Sequence, residues 1–226
     1  MNSDLTLKGK HFIIVGASSE LALNIAYALD HHQATYDVVT RKLDRICPTN
    51  NCKRFIHYDP LQFDTSTFCS EYFNSPPYAL IYLAAMRDIQ STSWHDVYLI
   101  NHKTYAELRI GLSPLMAKAG GGRFLAYSSS GSKYGGGENK TNYTLSKQLL
   151  ESFTKEDKKM ASNNILTNVI QLGVLNSNKS VNPHRLDLIP TKSLIPITEV
   201  SFMSLLLCSP KNTCITCSTI CMTGGE

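Results

Sequence analysis

Two rhythms run along the chain: short apolar runs, and longer segments whose apolar residues recur at helical spacing. His11–Val15 is the first run and closes on Gly16-Ala17-Ser18-Ser19. Leu21, Ala22, Ile25, Ala26 and Leu29 then share one helical face. Tyr36–Thr40 and Arg54–Tyr58 predict a second and a third strand, the third closed by Asp59-Pro60. Tyr78–Ala85, nearly all apolar, predicts a fourth strand covered on both faces. Ser93–Ala119 predicts one long helix with a kink or break at Pro114, stopped by Gly120-Gly121-Gly122. Arg123–Tyr127 predicts a fifth strand running into Ser128-Ser129-Ser130, and Asn142–Ser162 a further helix. Ile165–Leu172 predicts a sixth strand, Thr198–Cys208 a helix capped by Thr198, and Ser218–Met222 a final strand. Segment 176–195 is polar, holds two prolines and reads as loop with room for a short helix. Strands alternating with helices predict an α/β, doubly wound parallel sheet with helices on both faces. With no repeat or linker in view, residues 1–226 read as one domain.

Composition then narrows the function. At 226 residues with 42% hydrophobic content, the chain can bury a substantial core, which excludes wholesale disorder. Net charge is only +4, and the basic residues are scattered, so no stripe for nucleic acid is present. The densest group, Lys155, Lys158 and Lys159, is interrupted by Glu156 and Asp157 and reads as a solvated helix face. His11–Val15 is too short for a signal segment, and Phe202–Cys208 falls far short of the ~20 residues that span a bilayer. Seven cysteines without a secretory signal read as reduced thiols, and the expected location is cytoplasmic. Cys214, Cys217 and Cys221 invite a metal reading, but no matching further ligand stands nearby, so no metal is expected. His31-His32 lies at a helix end, where the helix dipole favours it.

Two constellations carry chemistry. The turn after the first strand, Gly16 to Ala22, lets the chain fold tightly and offers the free N–H groups of a helix N-terminus to a pyrophosphate. With one glycine the signal is weak, and a plain strand-to-helix turn explains it equally well. The second is stronger: serines at the end of strand five, then Tyr143 and Lys147 on one helical face. An ammonium beside a phenol favours the phenolate and so depresses the tyrosine pKa. A hydroxyl near both could hold a carbonyl oxygen, and the set would exchange a proton with an oxygen on a carbon undergoing hydride transfer.

With these residues in place, the whole chain resembles the short-chain dehydrogenase/reductase family in its single-domain form. The resemblance implies a Rossmann sheet of about seven strands and a nicotinamide cofactor. It implies a cofactor half over about 1–120 and a catalytic and substrate half over about 121–226. Tyr143 and Lys147 match the family's YxxxK, and Ser129 best matches its catalytic serine, with Ser128 and Ser130 as neighbouring candidates. Asn101, in Leu99-Ile-Asn-His, matches the asparagine of the long helix; it would hold a water linking Lys147 to solvent. Met116 stands in the segment resembling "LPxM". Leu172-Gly173-Val174-Leu175-Asn176-Ser177 stands where the family has Pro-Gly and then Thr, which implies cofactor contacts from Gly173, Val174 and Ser177. Ile197–Val200 resembles "peEvA", and Thr223-Gly224-Gly225 resembles "vDGG".

Departures matter as well. The family's TGxxxGxG keeps three glycines, whereas here Glu20 and Ala22 replace the second and third. Glu20 puts a carboxylate where backbone should approach phosphate, so Ser18, Ser19 and the N–H of Leu21 are left to meet it. Leu83-Ala84-Ala85-Met86 replaces NNAG, keeping backbone contact from Ala84 and Ala85 but losing the asparagine side chain. At the end of strand two, Thr40-Arg41-Lys42 offers cations for a 2′-phosphate rather than an acid for a ribose hydroxyl. NADP(H) is therefore preferred over NAD(H), with Asp59 expected at the adenine edge. The reading is an NADP(H)-dependent oxidoreductase, a ketoreductase or alcohol dehydrogenase. Its rivals are epimerisation or dehydration in the same site, or a non-catalytic dinucleotide-binding protein. The polar segment Asn176–Pro196, expected to form the lid, favours a small polar or carrier-tethered carbonyl or alcohol substrate. The resemblance also implies a homodimer or homotetramer, with neither nucleic acid nor membrane as partner.

Overall fold

The computed structural model describes residues 5–43, 49–87, 92–136, 138–177 and 184–226. Seven strands form one all-parallel sheet: β1 (His11–Val15), β2 (Thr35–Thr40), β3 (Cys52–His57), β4 (Ala79–Tyr82), β5 (Gly122–Ser129), β6 (Ile165–Leu172) and β7 (Ser218–Met222). Their spatial order is β3-β2-β1-β4-β5-β6-β7. The order therefore reverses between β1 and β4, where an open crevice forms at the C-terminal strand ends.

Nine α-helical segments and one π turn are described: α1 (Glu20–His31), α2 (Thr65–Tyr72), α3 (Trp94–Tyr98), a π turn (Leu99–Lys103), α4 (Thr104–Lys118), α5 (Gly131–Tyr134), α6 (Thr141–Leu150), α7 (Lys155–Ala161), α8 (His184–Leu188) and α9 (Ile197–Leu207). β1 shows how the faces divide. Phe12 and Ile14 point into one core with Ile25 and Leu29 of α1 and Val200 and Leu205 of α9. Ile13 and Val15 point into the other with Phe68 of α2, Leu108, Leu112 and Met116 of α4, and Leu150 of α6. Both faces being dry explains why these strands read as continuous apolar runs.

Several boundaries differ from the sequence-based expectation. The long helix stays continuous through Pro114, and the hydroxyl of Ser113 reaches the Ile110 carbonyl at 3.4 Å, the acceptor that a proline N–H cannot serve. Its irregularity lies instead at Leu99–Lys103, where the turn widens to π around Asn101. The helix expected over 142–162 divides into α6 and α7, because Thr154 and Asp157 form a capping box that restarts it. Pro196, not Thr198, caps α9. β4 leaves the ladder after Tyr82, freeing Leu83–Ala85 for the crevice. α2, absent from the sequence reading, begins where the Asp64 carboxylate accepts from the Thr67 N–H at 2.9 Å. Among the described residues of 176–195, the short α8 is the one helix, as the sequence allowed. No helix among the described residues is long and apolar enough to cross a membrane.

Candidate active site

β5 ends at Ser129, which sits opposite Leu172 in register with β6. Side chains alternate along a strand, so Ser128 and Ser130 turn away from the direction Ser129 takes. Ser128 bonds the Glu151 carboxylate, and Ser130 reaches Glu226 Oε2 at 3.2 Å. Ser129 hydrogen-bonds the phenol of Tyr143 and accepts the Gly131 N–H at 3.3 Å.

Tyr143 and Lys147 stand on α6 one turn apart. Burial raises the Tyr143 pKa, while the charge of Arg87 and the Ser129 hydrogen bond pull it back. Lys147 is 4% exposed, and its Nζ donates to the Tyr127 carbonyl at 2.8 Å. Burial alone lowers its pKa to about 8. Its Nζ lies 5.8 Å from the centre of the Tyr143 ring, and the Arg87 guanidinium is a second cation acting on the phenol.

The Asn101 Oδ1 accepts the Met86 N–H at 2.6 Å, and its Nδ2 donates to the Met86 carbonyl and the Ser146 hydroxyl, both at 2.9 Å. The carboxamide thus ties the segment after β4 to α6, whose Ser146 hydroxyl donates to the Tyr143 carbonyl at 2.7 Å. It braces the site.

Beside this set, a cleft of about 300 Å³ opens at the β1–β4 reversal. Gly16, Ser18, Ser19, Arg41, Ala84 and Ala85 line it, as the sequence anticipates. Gly16 has φ +84°, and a Cβ there would come within 2.3 Å of the Ala84 nitrogen, so only glycine brings the two strand ends together. The Ser19 hydroxyl accepts from Ala22 N at 3.1 Å as the cap of α1, keeping its own proton for an anion. Leu21 buries its side chain in the core, while its N–H is one of the first-turn donors that the helix leaves without an acceptor. Glu20 sits exposed in that same turn.

Arg41 is 35% exposed and 3.9 Å from the Asp59 carboxylate. Asp59 does not line the cleft, in contrast to expectation. It accepts the Leu61 N–H at 3.1 Å as a turn former, while its neighbours Tyr58 and Pro60 form the wall. Gly173, Val174 and Ser177 also stand off the lining. Gly173 packs against β7, where a Cβ would meet the Thr223 Cα at 2.9 Å, and the Val174 carbonyl accepts from Ile195 N at 2.9 Å. Ser177 is half-buried at the end of that strip. Sequence reasoning missed Tyr82, Ile100 and Thr104, which line the cleft, and Arg87. It also missed Glu151, which continues the Tyr143–Lys147 spacing by one more turn. No cluster able to hold a metal occurs among the described residues.

Sheet order, crevice and strand-end set together define a Rossmann-fold oxidoreductase class. A family model described as Enoyl-(Acyl carrier protein) reductase matches residues 78–226, and the chain belongs to the short-chain dehydrogenase/reductase family. No curated protein matches it. Among solved structures, a protein from Beutenbergia cavernae, proposed to be an NAD(P)-dependent gluconate 5-dehydrogenase and holding NADP at low occupancy, superposes with a TM-score of 0.85. The two are 16% identical, over 99% of this chain and 98% of that one. A 7α-hydroxysteroid dehydrogenase bound to NADH and 7-oxo glycochenodeoxycholic acid gives 0.83 at 20% identity, over 100% and 98%. A proposed short-chain dehydrogenase/reductase from Burkholderia xenovorans gives 0.84 at 16% identity, over 97% of each chain.

The family implies a nicotinamide dinucleotide, and the residues present fit one. Gly16, Ser18 and Ser19 of the turn before α1 line one cleft with Arg41 and Lys42, a set of donors and cations that suits the phosphates of a dinucleotide; Leu21 stands off that lining.

Proposed function

We propose that the protein is an NADP(H)-dependent oxidoreductase acting on a carbonyl or alcohol carbon. The convergence of Ser129 and Tyr143 beside a buried Lys147, at the same C-terminal side of the parallel sheet as the β1–β4 cleft, carries this reading. The bound nicotinamide would supply or accept the hydride. Tyr143 gives or takes the proton of the substrate oxygen, and Ser129 donates a hydrogen bond to that oxygen. Lys147 sets a positive charge behind the tyrosine, at the place where the family holds the nicotinamide ribose. Ser18, Ser19 and the Leu21 N–H receive the diphosphate. Arg41 and Lys42 receive the 2′-phosphate, which favours NADP(H) over NAD(H). Arg87, an exposed cation acting on the Tyr143 phenol, supports a small polar or carrier-tethered substrate that bears negative charge. The test is consumption of NADPH, against NADH, by the purified protein over a panel of neutral and anionic carbonyl compounds. No turnover with either cofactor, despite measurable binding, would sink the reading in favour of a non-catalytic dinucleotide binder.

A further inference from the structure

A polar cluster lies directly behind the candidate serine, outside the cleft. Glu151 closes α6, and its Oε1 receives the hydroxyls of Ser128 and Ser132, the latter at 2.5 Å. Gln171 of β6 adds its Nε2 at 3.1 Å to Oε1 and 3.3 Å to Oε2. The same Nε2 lies 3.0 Å from the Ser132 hydroxyl, and the Cys221 thiol of β7 reaches Gln171 Oε1 at 3.4 Å. Every group facing the carboxylate in this cluster is a neutral donor, which suits an acceptor-only group.

The cluster has one outlet toward the chemistry. The Ser132 hydroxyl donates to the backbone carbonyl of Ser129 at 2.7 Å, and Gln148 Nε2 holds the carbonyl of Ser132 at 2.5 Å. Ser132 has one proton for two acceptors, Glu151 Oε1 and Ser129 O. Its position is therefore set by the carboxylate on one side and transmitted to the serine on the other. Ser128, one residue earlier, is bonded to the same oxygen. Ser129 is thus held through Ser128 before it and through Ser132, whose hydroxyl meets its carbonyl, and both of these bond a single side chain.

We propose that Glu151 is a positioning residue for Ser129, acting through Ser128 and Ser132 to aim the serine hydroxyl at the phenol of Tyr143. The inference rests on the reading of Tyr143 as acid/base. It adds that α6 carries a third working position, one turn beyond Lys147. Such an arrangement matters because a hydroxyl shifted by a fraction of an ångström loses most of its directional bond.

The test uses Glu151→Gln and Ser132→Ala beside Tyr143→Phe as the reference. Glutamine keeps the volume but replaces one acceptor oxygen with an amide that faces other donors. Turnover should fall about tenfold in each variant with KM held within about twofold, because the serine bond tightens in the transition state. The alkaline limb of the pH–rate profile should move upward by about one unit. A weakened serine bond to the phenolate has that size and sign. The other groups facing the phenol, Arg87 beyond β4 and Lys147 on α6, are unchanged in these variants, so the limb reports the serine bond. A purely structural role predicts lost thermal stability with no limb shift. That result, or wild-type turnover and profile in both variants, overturns the proposal. If Tyr143→Phe alone retains full turnover, the acid/base reading fails instead. Should Glu151→Gln not fold, Ser132→Ala, which removes a single hydroxyl, decides alone.

Discussion

Two of the buried charges, Asp37 on the sheet and Lys147 on the helix beside it, are treated in opposite ways. Asp37, near the start of β2, is 1% exposed and meets the side chains of His11 and Arg54. His11 Nε2 lies 3.1 Å away, and Arg54 reaches it through Nε at 2.9 Å and a second nitrogen at 2.5 Å. Burial would raise its pKa, but these hydrogen bonds and charges win and hold it below the usual carboxylate value. Lys147, at the C-terminal end, is buried just as deeply but held by a neutral carbonyl, and burial drags its pKa to about 8. Unlike Arg123, whose guanidinium is satisfied by three backbone carbonyls, Lys147 donates to one and keeps N–H donors beside Tyr143.

The largest effect that sharpens this contrast is catalytic. Tyr143→Phe should cut turnover by about 10²–10⁴ while cofactor binding stays within a few-fold, as steady-state kinetics and titration would show. An Asp37→Asn variant should leave turnover within about twofold. Equal losses in both would erase the distinction between the two ends.

Lys147 offers a second break point through pH. Its folded pKa of about 8 lies below the ordinary lysine value of 10.5, so between them the unfolded chain binds the extra proton. Stability of the free protein should then rise with pH across that window, by about 3 kcal/mol in all. Lys147→Met should lose this slope and be as stable as wild type near neutral pH or more so. Denaturant titrations at several pH values check it; a flat wild-type curve would mean that the lysine is not desolvated.

Asp37 should behave with the reverse sign. Its pKa is lowered on folding, so its stabilisation is present above the unfolded carboxylate value near ~4 and is lost as pH falls through the folded one. Asp37→Asn should cost about 1–3 kcal/mol at neutral pH, and the difference from wild type should vanish in acid. A constant difference down to low pH would assign the loss to packing instead.

How much of this was legible in the sequence follows from the range of each interaction. Apolar runs bracketed by turn residues locate all seven strands, and the Tyr143–Lys147 spacing is local to one helix. Ser129 could be separated from Ser128 and Ser130 by strand alternation alone, had the extent of β5 been known. Asp37 could not be read, because its partners lie on the strands to either side. The break at Thr154 carries a local signature, Thr-Lys-Glu-Asp, that helical spacing overrode. The bonds of the Asn101 carboxamide to Met86 and Ser146 could not be read, because the bend after β4 and the packing of α6 create them.

Arg41, just after β2, supplies the smallest and sharpest test. It is charged, partly exposed, and only loosely paired with Asp59 at 3.9 Å, so that pair contributes little to stability. A cation held this lightly can exchange its carboxylate for a phosphate, since a guanidinium binds phosphate through two parallel hydrogen bonds. Bonds to charged groups span about 1.5–3 kcal/mol. Lys42, on the same cleft wall, recovers part of that, which places Arg41→Ala near a tenfold loss of NADPH affinity. NADH, lacking the phosphate, should bind nearly as before, and thermal stability should move by less than about 1 kcal/mol. Calorimetric titration of each cofactor into wild type and variant decides the matter. Equal losses for the two cofactors, or tighter binding of NADH by the wild type, would remove Arg41 from cofactor selection and return it to the solvated strand end.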